Sequence, residues 1–513
     1  MMAGINEQSR LVVDVERRLI DDKSNVVERS GSSDIAAPIP AKNNESSKLG
    51  TKRSHSTYQD TLSVAVSKVL GQVLRKSHLE PLVDDLPPDG GLQAWATVFF
   101  TFQTGFNTFG FLNSYGILQN YYVTMLNLPP STVSCKKSLL LLLILNIIVN
   151  SCQTISGSSL TTITGIGSLY AFLMLVLRAF AGRLSDAGYF HQLFFVGTTL
   201  QIIGFFTAAI STTYWQILLA HGVCLGIAGG LIFVPTMSIA GTYFSKKRPL
   251  ALAITALGNS VGGLVFAAIL QNVLPSLGYA WAMRTCGFVV MATSIPANFV
   301  LRPMKLKRAR GLIIDWGAFK ELAYSLFCTA IFLTFLGMWV PVFYLGSFGR
   351  NIVGIDNKAA ASLILIINGV GVAGRIVPAL LAPRLGPLNL MIPLTFLPAL
   401  ILFCWASVHT QASLLLFDIF YGFLMASGQG MLPPSLGSLT KDLSKVGVRF
   451  GMVFSICGFA LLIGQPLAGA LIEANGGVYL YAQMYSGTCM MLGVVFMVAA
   501  RTRIVGWNLK VKI

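Results

Sequence analysis

Four ionisable side chains interrupt stretches that are otherwise free of charge: Arg178, Arg284, Arg375 and Asp418. A charge placed among apolar residues is costly and is seldom kept without a role. Arg375 is the best placed of the basic three, midway along its apolar run and flanked by Gly369, Gly371 and Gly374. A guanidinium presents a planar fork that binds carboxylates through two parallel hydrogen bonds, and the glycines leave room for a ligand beside it. The alternative for Arg375 is an internal ion pair. Arg178 and Arg284 lie nearer the ends of their runs, where a long side chain can reach the membrane surface. Asp418 is the acid best placed inside an apolar run, as a proton site or as an arginine partner. None of this is catalytic machinery. The five His show no metal-ligand spacing, the eight Cys contain no CxxC pair, and no GxxxxGK[ST] loop is present, so the expectation is no enzyme, no metal and no cofactor.

The elements that would position these residues are read from hydropathy. Hydrophobic residues make up 54% of the 513-residue chain and charged ones only 11%, which is too little charge to cover a water-soluble surface. From Leu92 onward, apolar blocks alternate with short polar loops, beginning near Leu92, Gly165, Leu193, Tyr214, Leu250, Tyr279, Leu322, Ala359, Leu388, Leu414, Phe450 and Val478. Each block is about 20 residues, the length that crosses a hydrocarbon core of about 30 Å as a helix. Backbone groups in lipid must be satisfied within the segment, so each block is expected to be helical. The fold class expected is an all-α membrane protein with twelve transmembrane helices in two six-helix pseudo-repeats.

The net charge of +17 carries orientation, not nucleic-acid binding. Residues 1–86 cancel, with 12 basic and 12 acidic side chains. With that tail in the cytosol, 18 basic residues fall in cytosolic loops and the C-terminal tail, from Arg183 through Lys246, Lys247, Arg248, Arg302, Arg384 and Arg449 to Lys512. The opposite side carries four: Lys136, Lys137, Arg350 and Lys358. This bias puts both termini in the cytosol. The domains expected are a disordered cytosolic tail (1–86), a first six-helix half (87–301), a central cytosolic loop (302–321), a second six-helix half (322–500) and a C-terminal tail (501–513). Within the tail, Leu62, Val66, Val69, Leu70 and Val73 form one helical stripe, either a helix on the inner leaflet or a transient one.

Internal repetition supports the two halves. Gly182-Arg183-Leu184 is matched by Gly374-Arg375-Ile376, Lys247-Arg248-Pro249-Leu250 by Val448-Arg449-Phe450-Gly451, and Phe233-Val234-Pro235 by Leu432-Pro433-Pro434, all at offsets near 200 residues. Two such halves imply a binding site at their interface and alternating access by rocking.

Residues 87–500 resemble the major facilitator superfamily and, within it, the monocarboxylate-porter family in its fungal form. Asp89-Gly90-Gly91 followed by Trp95 resembles that family's first signature, and Tyr243-Phe244-Ser245-Lys246-Lys247-Arg248-Pro249-Leu250-Ala251 its second. Gly182-Arg183-Leu184-Ser185-Asp186-Ala187-Gly188 is similar to the superfamily loop after helix 2. In that loop Gly182 and Gly188 permit a tight turn, and Asp186 can accept hydrogen bonds from a helix N-terminus or an arginine; the element is a gating latch or a plain solvated turn. The resemblance implies that Arg375 pairs with a substrate anion. Two departures bear on the substrate. Animal members carry an acid one turn before the helix 8 arginine, where this chain has Gly371, and a lysine in helix 1, where it offers Asn113 or a neighbour. Both groups are linked to proton and lactate coupling, so lactate and pyruvate are not favoured. Fungal members include carriers of larger solutes such as vitamins. Asn107, Asn113, Tyr115 and Asn368 are the polar candidates for lining the site, with packing as the alternative for each.

The function expected is secondary transport of a small organic solute, a monocarboxylate-like anion or a vitamin, by alternating access and with protons as a candidate partner. The membrane is the plasma membrane or the vacuolar one. The competing reading is a transporter-like nutrient sensor that signals through residues 1–86.

One segment does not fit. Between the first two helices, residues 135–165 form an insert whose apolar part, Leu139 to Val149, is too short to span. Cys135-Lys136-Lys137 can be encoded with a splice-donor-like GTAAGA, and Thr164-Gly165 with an acceptor-like ACAG. Excision keeps the frame and leaves a Trp codon, giving Ser-Trp-Ile-Gly-Ser. The reading is a retained intron; the alternative is a lineage-specific outer loop.

Overall fold

The computed structural model describes residues 90–125, 159–244, 248–302, 315–440 and 446–506, with positions 508 and 511. The tail and its apolar stripe, Asp89, most of the 135–165 insert, Lys246, Lys247 and most of the central loop lie outside the described residues, as do the side chains of Asp186 and Arg248. Among the described residues every regular element is a helix.

The first helix, α1, runs from Leu92–Gly105 through a π-helical turn, Phe106–Gly110, and Phe111–Asn113 into Tyr115–Met125. It is followed by α2 (Ser159–Leu184), α3 (Phe190–Ile210) and α4, which joins Tyr214–Ile217, Leu218–Cys224 and Leu225–Thr242. Arg248–Val300 is one helical run bent at Gly278, whose φ of 80° only glycine adopts readily; the parts before and after it are α5 and α6. Then come α7 (Leu322–Met338 and Val340–Phe348), α8 (Asn357–Leu385), α9 (Pro387–Cys404), α10 (Gln411–Leu439), α11 (Val446–Ala474) and α12 (Leu480–Val505).

Among the described residues, ten helices are long and apolar enough to cross a membrane. One of them, Ala251–Val300, has 50 residues, twice the length a crossing needs, and it turns at Gly278. With the interrupted α1, the arrangement is consistent with twelve crossings. The helix starts fall close to the hydropathy boundaries except for α2, which begins at Ser159 rather than near Gly165. The run Ser159–Thr164 is too polar to register as apolar, yet the helix continues through it, and Thr164 is fully buried with its hydroxyl 3.0 Å from the Tyr344 hydroxyl of α7.

The exterior is apolar. Phe99, Phe195, Ile203, Phe299, Leu380, Phe420 and Val495 are exposed, a surface that water does not support but lipid does. The interior instead buries polar groups and pairs them. In α1 the π-helical turn takes carbonyls out of the regular ladder, and neighbouring helices supply donors: Gln201 Nε2 reaches Asn107 O at 2.9 Å and the Tyr170 hydroxyl reaches Thr108 O at 2.8 Å. Close helix pairs include α1 with α5, α2 with α11, α5 with α8 and α8 with α10. At one end of the bundle the start of α1 meets α4 and α6, through the Trp95 and Phe244 rings 5.1 Å apart and through Gln93 Nε2 on Val300 O at 2.9 Å. The same end holds Arg183, Arg302, Arg384, Arg449 and Arg501, and is called the basic end below.

Candidate functional site

Asn368, Gly371 and Arg375 recur on α8 at the spacing that puts them on one helical face, and Gly422, Met425, Ala426 and Gln429 do the same on α10. Two local features aim these faces at each other. Pro378 has no N–H, so the carbonyl four residues earlier, that of Gly374, lacks its helical donor; Ser427 Oγ of α10 stands 2.8 Å from that oxygen and 2.7 Å from Phe423 O of its own helix, and shares its one proton between them. Gly374 also has no side chain to hold α10 away, since a Cβ there would meet the Phe423 carbonyl carbon and the Ala426 Cβ at 3.2 Å. The two helices therefore close together beside Arg375.

These faces, with Asn113 of α1, Ser260 of α5 and Val342 of α7, line a narrow, partly open cavity between the helices. Both the first six helices and the last six contribute to the lining. Arg375 is only 7% exposed, so its charge acts in a weakly screened setting. Its Nη1 donates to Ser260 Oγ, and its Nη2 donates to Gln429 Oε1 at 3.0 Å. Both partners are neutral, and among the described residues Arg375 makes no ion pair. The guanidinium keeps its positive charge uncompensated and has N–H groups to spare for a two-oxygen ligand. Asn113 Nδ2 donates to Asn259 O at 3.2 Å and Asn368 Nδ2 to Ile364 O at 2.8 Å, which leaves each side-chain carbonyl as an acceptor. Val342, Ile367 and Met425 make the rest of the wall apolar. The lining offers a cation to an anionic head and an apolar wall to the rest of a small molecule.

Two of the four polar lining candidates, Asn113 and Asn368, thus meet Arg375 in one cavity. Tyr115 is not among its lining residues: it is fully buried with its ring between His221 of α4 and Phe343 of α7, each at 5.3 Å. Asn107 is committed to packing, its Nδ2 donating to Thr293 Oγ1 at 2.8 Å and Ser294 Oγ at 3.1 Å. Asp418 is fully buried and neither carboxylate oxygen has a hydrogen-bond partner. It lies one turn before Gly422 on the cavity-facing stripe of α10, so it sits just beyond the cavity on the side away from the basic end.

Arg284 is half-buried over the Trp281 ring at 5.2 Å. Arg178 does not reach the surface as its position near a helix end suggested; it is 1% exposed and enclosed by aromatic rings. In the loop after α2, Gly182 lies in the last turn of the helix and Gly188 takes φ 99° inside the π-helical turn Ser185–Tyr189. Arg183 there is half-buried. Gly90 and Gly91 lead into α1, and the Trp95–Phe244 contact joins the two signature segments.

Ser260 and Gln429 were not singled out from the sequence. A polar residue in an apolar helix marks a face only once its neighbour is known, although Gln429 does share the helical stripe of Asp418, Gly422 and Met425.

An apolar-walled bundle of long helices around a central cavity with one uncompensated cation defines a polytopic membrane carrier. The Major Facilitator Superfamily profile matches residues 95–447, and the chain belongs to that family. It is 36% identical over 420 residues to an MFS-type transporter of Gibberella zeae, covering 81% of this chain and 88% of the relative. It is 32% identical to MFS-type transporter dbaD of Emericella nidulans, over 75% of this chain and 80% of that one, and 32% identical to the aspyridones efflux protein apdF of the same organism, over 81% and 79%. The protein is a membrane transporter of small solutes and not an enzyme.

Proposed function

We propose that the chain is a secondary carrier of a small organic anion, with the anion held by Arg375 and the solute's apolar part against Val342, Ile367 and Met425. The observation that carries this reading is the buried guanidinium of Arg375, whose partners are all neutral in a cavity shared by both sets of six helices. An anion entering there replaces weak neutral partners with a charge-assisted pair. Rocking of the two halves about that cavity then exposes it to one side and the other in turn. Asp418 is the proton-coupling site in this scheme, and the basic end faces the cytosol. The subfamily is the fungal monocarboxylate-porter type, by the signature segments around Trp95 and Phe244. The test is uptake and release of a labelled panel of short monocarboxylates, riboflavin and other vitamins, and larger aromatic acids by cells expressing the chain, with and without a proton gradient. Equal transport of carboxylates by the parent and by Arg375→Ala would sink the reading.

A second reading concerns direction. One relative is named for the efflux of aspyridones, and the wall of the cavity beside Arg375 is partly apolar. Export of an organic acid made by the cell is the direction this favours. Loaded cells releasing the acid faster when the chain is present would support it.

A further inference from the structure

Arg178 of α2 has an environment that the carrier scheme has not used. The side chain is 1% exposed, and none of Nε, Nη1 and Nη2 has a hydrogen-bond partner. Its guanidinium carbon lies 4.3 Å from the ring centre of Phe109 (α1), 4.1 Å from that of Phe233 (α4) and 5.4 Å from that of Phe454 (α11). Aromatic faces attract a cation and compensate part of its lost hydration, but they leave its N–H donors unsatisfied. Phe109 and Phe233 belong to the same set of six helices as Arg178, whereas Phe454 comes from the other set. The third ring therefore covers the guanidinium only while α2 and α11 are pressed together. They are close here: a Cβ on Gly451 would lie 3.0 Å from Ala179, and one on Gly458 would lie 3.1 Å from Val176.

The position relative to the cavity follows from register. Phe109 precedes the cavity residue Asn113 by one turn of α1, toward the end where that helix meets Phe244. Arg178, stacked on Phe109, lies just outside the cavity on the side of the basic end.

We infer that Arg178 is a second anion station, which takes the carboxylate of the solute as it passes between the Arg375 cavity and the basic end. When α11 withdraws Phe454, the guanidinium fork is uncovered with its donors free, and a carboxylate satisfies two of them. When the helices close, the rings of Phe109, Phe233 and Phe454 replace the anion and release it. The ligand class is an organic carboxylate, and the inference rests on the reading of the chain as an anion carrier.

The test uses the full chain in proteoliposomes with radiolabelled benzoate as the probe. Two quantities are read: benzoate exchange, and the benzoate-induced rise in thermal midpoint of the detergent-solubilised protein. The second reports the Arg375 site. Arg178→Met keeps an apolar side chain among the rings; it should lower exchange about ten-fold, the scale of a lost charge-assisted hydrogen bond, while retaining the benzoate-induced stabilisation. Arg178→Lys, which keeps the charge, should recover most of the exchange. Phe454→Leu, which removes the covering ring and keeps the charge, should exchange at least as fast as the parent.

Exchange by Arg178→Met within two-fold of the parent overturns the station, as do equal losses in Arg178→Met and Arg178→Lys. A Phe454→Leu variant as slow as Arg178→Met also overturns it, since the ring clamp and not the charge would then matter; this arm stands if Arg178→Met does not fold. The carrier reading fails separately, if Arg375→Gln still exchanges benzoate and is still stabilised by it. A parent that neither exchanges nor is stabilised by any carboxylate overturns both.

Discussion

Arg375 of α8 and Gln429 of α10 are joined by a hydrogen bond of 3.0 Å from Nη2 to Oε1, a link between a buried cation and a neutral amide where a carboxylate would be expected. Replacing that amide by an acid supplies the missing charge from within. Gln429→Glu should lower carboxylate transport by about 100-fold, because an internal ion pair occupies the fork. Its thermal midpoint should not fall. Competition by added carboxylate over a wide concentration range checks this. Undiminished transport by Gln429→Glu would show that the solute does not bind at Arg375.

Asp418 gives a prediction about coupling. Its carboxyl is fully buried beside the cavity stripe of α10, with neither oxygen hydrogen-bonded. If protons are coupled through it, Asp418→Asn should abolish accumulation driven by an imposed proton gradient and leave solute exchange at zero gradient intact. Gradient-driven accumulation that survives in Asp418→Asn removes this residue from the coupling.

Ser427 gives one about stability. Its hydroxyl is 2.8 Å from the Gly374 carbonyl that Pro378 leaves without a donor, and it is fully buried. The same hydroxyl is 2.7 Å from Phe423 O, so Ser427→Ala removes a shared donor and should cost about 1 kcal/mol of stability. Thermal or denaturant unfolding in detergent would measure the loss, and a midpoint equal to the parent's would contradict the account of how α8 and α10 are held.

The approach of α1 to α5 is also testable. A Cβ on Gly110 would come within 2.7 Å of the Gly262 carbonyl carbon, backbone that cannot swing aside. Gly110→Val should destabilise by about 1–3 kcal/mol or more, the cost of overpacking. Gly165 is the contrasting control, because a Cβ there meets no atom of the described residues within 4 Å.

Gly165 also closes the 135–165 insert. If the segment is a retained intron, removing residues 136–165 and changing Cys135→Trp puts a tryptophan immediately before Ile166, in place of Gly165. The shortened chain should reach the membrane and transport at least as well as the full one. Transcripts that run unbroken through the segment, with none skipping it, would refute the intron.

Much of the architecture was legible from composition alone because lipid imposes a simple rule. Each crossing must be an apolar helix of a set length, so the blocks beginning at Leu92, Tyr214, Leu322 and Leu388 could be read nearly to the residue. Where polarity and helix diverge, as at Ser159–Thr164 of α2, hydropathy misplaced the start, since hydroxyls on a buried face are satisfied by partners such as Tyr344 that the local sequence does not contain. The candidate site was partly legible for the same reason. A charge in an apolar helix is conspicuous, which exposed Arg375, Arg178 and Asp418, and small flanking residues pointed to Arg375.

What the sequence determined by itself is therefore the class of protein, the run of helices and the few charges worth explaining, since these depend on each segment's own interaction with lipid. What only the tertiary structure decided is which helices meet. It put Ser260 and Gln429 on Arg375, turned Tyr115 and Asn107 into packing residues, and enclosed Arg178 among three rings instead of letting it reach the surface. The reason is that a polar side chain takes its role from its partners, and in each of these cases they come from helices distant in the chain.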